Sequence, residues 1–489
     1  MKKIIQLNTR IPHLYFVLFG FSLGLILLFN SCTANKNKAE NNPDRKTNII
    51  YILADDLGYG DLGCYGQSKI RTPNIDQLAR EGMLFTDHYA GSTVCAPSRC
   101  SIMTGRHTGK SRIRGNARVP LQENDTTVAE ILQSEGFLTA LYGKWGLGDY
   151  GTSGHPNDKG FDQFVGYLSQ LRAHNAYPNY IWDNKDTLWL DNKVEFIPTG
   201  RAKGIGGVAI EKNTHTQDIF TDKALQFIEA NKDNTFFLYL PYTLPHANNE
   251  ARFWDIPGME VPEMMGYDTV SDWNLAQQLF AASISYLDRD IGKIMSKVKE
   301  LGIEKNTLII FTSDNGPHKE GGNDPVVSKS SGPLKGIKRD LYEGGIRVPM
   351  IAWWPGKISA GTTSGHISAF WDVLPTFCDI AGATKPVNIE GISYLPELLG
   401  QDQNEHKYLY WEFHEQNGKQ AVRLGKWKGV RLNMKDNPEA PIELFDISTD
   451  LGEKNNLAIE YPEIVDEIAQ IMKKEHTFSK DFPFDFEKK

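Results

Sequence analysis

Asn48-Ile49-Ile50-Tyr51-Ile52-Leu53-Ala54 is a short apolar run that ends in two adjacent carboxylates, Asp55-Asp56. It is too brief for a stable helix and rich in β-branched side chains, so it predicts a strand buried on both faces. Two neighbouring carboxylates at a buried strand end repel each other unless a cation lies between them. A solvated turn is the other reading of that pair, and the run alone leaves both open. The pattern then recurs three times. Residues 137–142 lead into Gly143-Lys144-Trp145, residues 235–240 into Pro245-His246, and residues 306–312 into Ser313-Asp314-Asn315-Gly316. In an open α/β sheet, ligands bind beyond the carboxyl ends of the strands, which would gather these four polar tips around one cleft.

Helical patterns separate the runs. Thr127 and Glu130 make a capping box for a helix over 127–134. Residues 218–230 carry one apolar face. Residues 275–301 carry a long stripe at spacings of four and three, which would also fit a coiled coil. With strands on either side, a helix packed on a sheet is the better reading. Residues 192–214 read as a long surface loop. Beyond about 385 the texture changes to short, turn-separated runs at 408–414, 420–424, 427–432 and 442–445, a small antiparallel sheet. A closing helix is expected over 461–473. The fold class is therefore α/β: a large, mostly parallel or mixed sheet flanked by helices, with a small C-terminal antiparallel-sheet subdomain.

The chain has 489 residues, a formal charge of −8 and no long basic run, which argues against a nucleic-acid partner. An anion-binding site would need Arg and Lys clustered locally. Residues 1–31 read as an export signal, with Lys2, Lys3 and Arg10 before an apolar run of 14–29 that is short for a membrane span. The Ser31-Cys32 ending resembles a bacterial lipoprotein signal, in which Cys32 is lipidated. Phe29 and Asn30 depart from that pattern, and an ordinary cleaved signal is the alternative. A polar linker, 32–46, follows. Of five cysteines, Cys64, Cys100 and Cys378 have no assigned fate, and an odd remainder is no disulfide framework, though one bridge is open to them.

The most specific stretch is Cys95-Ala96-Pro97-Ser98-Arg99-Cys100-Ser101-Ile102-Met103-Thr104-Gly105-Arg106. Pro97 suits a first helical position and Gly105 a stop, so Cys95 is expected just before a helix, facing its anion-favouring end. This stretch resembles the signature of type I sulfatases, of the alkaline-phosphatase superfamily, with Met103 where leucine is commoner. The resemblance spans about residues 47–480 and implies a catalytic domain over 47–385 and a C-terminal subdomain over 386–489.

The resemblance carries specific expectations. Cys95 would be oxidised to formylglycine by a maturation enzyme, so that one hydroxyl of the hydrated aldehyde attacks sulfur and the other releases sulfate. Asp55, Asp56, Asp314 and Asn315, with an oxygen at position 95, would hold one divalent cation, Ca²⁺ before Mg²⁺, as their hard oxygens suggest. Asp55 and Asp314 are both candidate bases. Arg99, Lys144 and Lys338 would hold the sulfate, with Lys335 competing for Lys338's role. His246 would be the general acid.

Many sulfatases carry a histidine where this chain has Gly146, which leaves the sulfate-eliminating group open; His107 and His155 are substitutes. Arg172, His174 and His318 are candidate sugar contacts, and Trp189 a stacking ring or a core residue. The expected substrate is a sulfated carbohydrate or aryl sulfate, with galactose or N-acetylgalactosamine sulfate as the sugar, and the expected location is the bacterial periplasm or a lipid-anchored membrane surface. Rival readings are a phosphomonoester or phosphonate-ester hydrolase of the same superfamily and a catalytically silent glycan-binding lipoprotein.

Overall fold

The Asn48–Ala54 run is an inner strand of a parallel block, with every residue buried. In this computed structural model, which describes residues 46–488, it pairs in parallel with Thr307–Ser313 on one side and Phe236–Pro241 on the other. Leu138–Lys144 and then Gln163–Tyr167 continue the parallel block. Antiparallel strands extend it at both ends, Met350–Trp353 beside Thr307–Ser313 and Tyr180–Asp183 beside Gln163–Tyr167. The complete sheet has ten strands and is mixed.

Strand side chains alternate between faces, and the two cores follow from that. Ile50, Ile52 and Ala54 point into one core, closed by the helices Pro73–Glu81, Thr216–Ala230 and Leu275–Glu300. Ile49, Tyr51 and Leu53 point into the other, closed by Cys95–Thr104, Val128–Ser134 and Val373–Ala381. The expected capping box is present, with Thr127 accepting from Glu130 N–H and Glu130 accepting from Thr127 N–H. The long stripe is a helix on the sheet. Cys64 packs against the first core while Cys100 and Cys378 lie in the second, and all three are free thiols.

A four-stranded antiparallel sheet, Leu409–Phe413, Lys419–Leu424, Trp427–Arg431 and Ile442–Asp446, forms the C-terminal layer. Trp411, Phe413, Ala421 and Val430 pack against Tyr89, Val94, Leu341 and Trp371 of the larger body. Tyr410, Val422 and Leu444 face the helix Pro462–Glu475.

Two local expectations are corrected. The stretch 192–214 is not one loop: Lys193–Phe196 and Gly207–Glu211 pair as an antiparallel ribbon with an irregularity at Lys193/Val194. A Cβ on Gly207 would stand 2.2 Å from the Glu195 carbonyl, so its glycine permits close strand approach rather than marking a loop. Cys95 is the first residue of its helix, not the one before it, because Val94 takes the extended N-cap conformation. Pro97 still lies in the first turn, where a missing N–H costs no helical bond. The export-signal reading, Cys32 and the linker to residue 45 lie outside the described residues. Among the described residues, no helix is long and apolar enough to cross a membrane.

Candidate active site

The four strand tips named from sequence belong to four adjacent parallel strands and open on one side of the sheet. Asp55 and Asp56 follow the Asn48–Ala54 strand, and Asp314 and Asn315 follow its neighbour. All four are fully buried. Asp56 has a left-handed backbone, φ 66°, and its N–H donates to Asp314 Oδ1 at 3.1 Å, which turns the two tips together. Asn315 Nδ2 donates to Asp56 Oδ1 at 2.7 Å.

Three cations meet the three carboxylates. Lys144 Nζ donates to Asp55 Oδ2 at 2.6 Å, and Lys338 Nζ to Asp56 Oδ2 at 2.8 Å. Arg99 grips Asp314 Oδ2 through Nε and NH2, at 3.1 and 2.8 Å, and donates to the Lys144 carbonyl at 2.6 Å. Burial alone would raise the Asp55 carboxyl, but Lys144, His246 and Arg99 hold it well below the usual range. Burial and Asp55 push Asp314 up to about 7 in spite of Arg99.

These residues fit a divalent cation. Asn315 Oδ1 is a buried oxygen with no partner, and buried acceptors are seldom left so. Asp55, Asp56, Cys95 and His246 present ligand atoms within 4.8 Å of one another. A cation among these groups would relieve the repulsion that raises Asp314 and supply the missing partner of Asn315.

Cys95 Sγ is 3.3 Å from Asp55 Oδ1. Burial and then Asp55 drive its thiol well above the ordinary value. A thiol so disfavoured as thiolate is a poor nucleophile in its own right. It nevertheless lines a cleft of about 210 Å³ together with Lys144, His246 and Lys338.

A model of the sulfatase family matches residues 47–383. The chain belongs to the sulfatase family. It is a type I sulfatase of the alkaline-phosphatase superfamily and a sulfuric ester hydrolase. A second model, N-sulphoglucosamine sulphohydrolase, C-terminal, matches residues 337–479. Arylsulfatase G of Mus musculus is 33% identical over 79% of this chain and 74% of its own length. The N-acetylgalactosamine-6-O-sulfatase of Bacteroides thetaiotaomicron is 30% identical over 91% of this chain and 96% of its own. Among solved structures, Ps i-CgsB superposes with a TM-score of 0.72 at 28% identity, over 90% of this chain and 95% of that one, and has also been solved in complex with k-i-k-neocarrahexaose.

The remaining expected groups of this sulfatase divide sharply. His246 Nδ1 meets the Ala247 carbonyl at 2.7 Å and must donate there, so Nε2 is left to accept from Lys338 Nζ at 3.2 Å. Burial and the Lys338 charge push its pKa down to about 3. His174 stacks on His246 at 4.9 Å and lines the cleft, with Nδ1 2.9 Å from Glu250. His318 lies behind, fully buried, donating from Nε2 to the Pro245 carbonyl at 3.1 Å; it is not in the cleft wall.

Arg172 also points elsewhere, over the Tyr180 ring at 3.8 Å and onto Asn179. Arg99 is committed to Asp314 and the Lys144 carbonyl and does not line the cleft. Lys335 lies over Tyr342 at 3.7 Å, which leaves the inward position to Lys338. His107 pairs with Glu475 in a separate cavity, and His155 caps a short turn through Asn157 N–H; neither lines the cleft. Trp189 is on the outermost strand, 69% exposed, against Tyr180.

Sequence reasoning passed over Asn116, Arg118, Gln170, Arg201 and Arg339, all of which line the cleft. Asn116 Oδ1 accepts from Ala96 N–H at 3.1 Å, and Arg201 donates to the Asn116 carbonyl at 2.7 Å. Arg339 was legible only as the neighbour of Lys338; the others belong to no motif.

Proposed function

We propose that this sulfatase removes sulfate monoesters from carbohydrate, on galactose or N-acetylgalactosamine units, after Cys95 has become formylglycine and with one divalent cation held by Asp55, Asp56, Asp314 and Asn315. The carrying observation is a suppressed Cys95 thiol, 3.3 Å from Asp55, in the same cleft wall as Lys144, His246 and Lys338. An all-oxygen donor set suits calcium rather than zinc, with magnesium second. The hydrated aldehyde supplies an oxygen nucleophile with a second hydroxyl for releasing sulfate, and the cation supplies positive charge beside it.

The side chains of the site divide the remaining work. Lys144 and Lys338 stabilise the sulfuryl oxygens where charge develops. Arg99 holds Asp314 and the Lys144 carbonyl in place. Asp55 is the nearer candidate base, with Oδ1 3.3 Å from the position-95 side chain while Lys144 and Arg99 hold its Oδ2. His246 Nε2 serves the leaving oxygen. A sulfate that engages Lys338 offsets part of the positive charge that, after burial, holds the His246 imidazole down.

The substrate is a carbohydrate chain rather than a lone aryl ester. The cleft continues into a groove of about 930 Å³ that shares His174, Arg201 and Arg339 with it. Phe253, 62% exposed, offers an apolar face there. Arg118 and Arg201 add positive charge at the rim. The sugar assignment leans on the relative named for N-acetylgalactosamine 6-O-sulfate and on the neighbour solved with a neocarrahexaose. A formylglycine-generating enzyme is the maturation partner. The leader and Cys32 direct the protein to the periplasm or a lipid anchor in a bacterium.

Sulfate release from a panel of galactose- and N-acetylgalactosamine-sulfated oligosaccharides tests the reading, beside phosphate analogues and a Cys95→Ala control. Peptide mass should show the aldehyde at position 95 in native protein. Faster cleavage of the phosphate analogue, or sulfate release that survives Cys95→Ala, would overturn it.

A further inference from the structure

Gly146 stands two residues after Lys144 with φ +77°, a backbone conformation that favours glycine. Its N–H donates to the Leu168 carbonyl at 3.2 Å, and Trp145 N–H to Tyr167 at 2.9 Å, so this segment is fixed to the neighbouring one. A Cβ built on Gly146 would stand 2.0 Å from Gln170 Nε2 and 2.8 Å from its Cδ. The Gln170 amide thus fills the space that a side chain at 146 would take. No side chain fits at 146 while Gln170 keeps this position.

Gln170 lines the cleft with Cys95, Lys144, His246 and Lys338. Its Nε2 is buried and has no hydrogen-bond partner among the described residues. An orphaned buried donor is destabilising, and native proteins seldom leave one without a reason. The neighbouring chemistry supplies the reason. The wall around the amide binds an anion, and a sulfate ester presents oxygens that only accept.

We propose that Gln170 is a substrate-contacting residue, whose amide turns from its place against Gly146 into the cleft when the ester binds and donates a hydrogen bond from Nε2 to a sulfuryl oxygen. The inference rests on the sulfatase reading of this cleft and adds to it a neutral, non-titrating donor. An amide keeps its hydrogen bond across the working pH range. The contact therefore strengthens sulfate binding without contributing a limb to the pH profile.

Gln170→Leu keeps the volume and removes the donor; Gln170→Glu keeps the shape and turns an acceptor toward the anion. In the matured enzyme, kcat/KM should fall about 10- to 100-fold in the leucine variant and further in the glutamate variant. Inhibition by inorganic sulfate should weaken in parallel, and the leucine variant's pH limbs should stay in place. Calorimetry of inorganic sulfate binding to Cys95→Ala protein, with and without Gln170→Leu, reads the same contact without turnover.

Loss of a buried orphan should leave the leucine variant's Tm unchanged or higher. A purely structural Gln170 would instead lower Tm and leave sulfate affinity alone, and that pair of results overturns the proposal. Sulfate affinity and kcat/KM both within twofold of the parent would also overturn it. The outcomes separate from those of the parent reading: absent sulfate release by aldehyde-bearing wild type sinks the function, while sulfate affinity of the Cys95→Ala pair still decides the contact.

Discussion

His246 is the side chain whose contribution should depend most on what leaves. Its Nδ1–H is fixed on the Ala247 carbonyl, and its Nε2 shares space with Lys338 and Asp56. A sugar alkoxide needs a proton as the S–O bond breaks, whereas nitrophenolate leaves without one. His246→Ala should therefore cost on the order of 10²- to 10⁴-fold in kcat on sugar sulfates and far less on nitrophenyl sulfate. Equal losses on both substrates, read from initial rates, would remove His246 from proton transfer. Asp61 raises a different question. It is a fully buried carboxylate with no cation beside it among the described residues; it accepts from Gly58 N–H at 2.8 Å, and burial, against the opposing pull of Ser330 and Gly58, pushes its pKa from 3.8 up to about 7. A carboxyl raised in the folded state gives stability that is fully present below its unfolded pKa and is lost as pH rises through its folded pKa. Asp61→Asn does not titrate. Its Tm advantage over wild type should be absent near pH 4, grow to about pH 7 and then level off, with a ceiling of about 4 kcal/mol. A Tm difference flat across that window in pH-dependent unfolding would reject the assignment.

On the proposed reading, the parallel strand tips would hold a metal only as a set, because Asp55-Asp56 and Asp314-Asn315 come from two adjacent strands. A chelator should therefore lower activity and Tm together. Calcium should restore both better than magnesium, and a site at a hundredfold excess over Kd would add roughly 3 kcal/mol of stability. Restoration by zinc alone, in activity assays and thermal melts of the chelated protein, would contradict an all-oxygen site. These tips were legible because a buried parallel strand must be apolar along its length, so polar residues at its end stand out. Other features were not. Arg172 and His174 share one turn, Arg172–His174, yet His174 faces the cleft and Arg172 covers Tyr180. Sequence adjacency carries no information about that divergence. Gln170 was invisible for a related reason: its significance comes from a missing side chain at Gly146, on a different strand connection. The 193–211 ribbon lacked a strong alternating pattern, and its glycines imitated a loop.

The two layers of the molecule meet through the segment that carries Lys338. Glu343, in the same Leu334–Gly345 stretch, is fully buried and receives Lys428 Nζ at 2.8 Å from the C-terminal sheet, Arg347 at 3.2 Å and the Tyr89 hydroxyl at 2.7 Å. Its N–H donates to Glu453 Oε2 at 2.8 Å, and Lys335 donates to the Glu453 carbonyl at 3.2 Å. Gly316, next to the Asp314-Asn315 tip, approaches so closely that a Cβ there would stand 1.9 Å from the Gly344 carbonyl. The C-terminal sheet thus braces the segment that carries Lys338, which packs against the Asp314-Asn315 tip. Removing Lys428 leaves Glu343 with Arg347 as its remaining cation, so the cost lies below the roughly 3–5 kcal/mol of a wholly uncompensated buried charge. Lys428→Met should lower Tm accordingly and, by loosening the Lys338 segment, reduce kcat/KM at temperatures well below unfolding. Adding Glu343→Gln removes the under-compensated charge while Asp87 still pairs Arg347, so the double variant should recover much of the stability while its activity stays below wild type. Parallel recovery of both quantities would mean that the C-terminal layer supports the fold alone. Stability regained without activity would show that its sheet holds the sulfate-facing lysine in register.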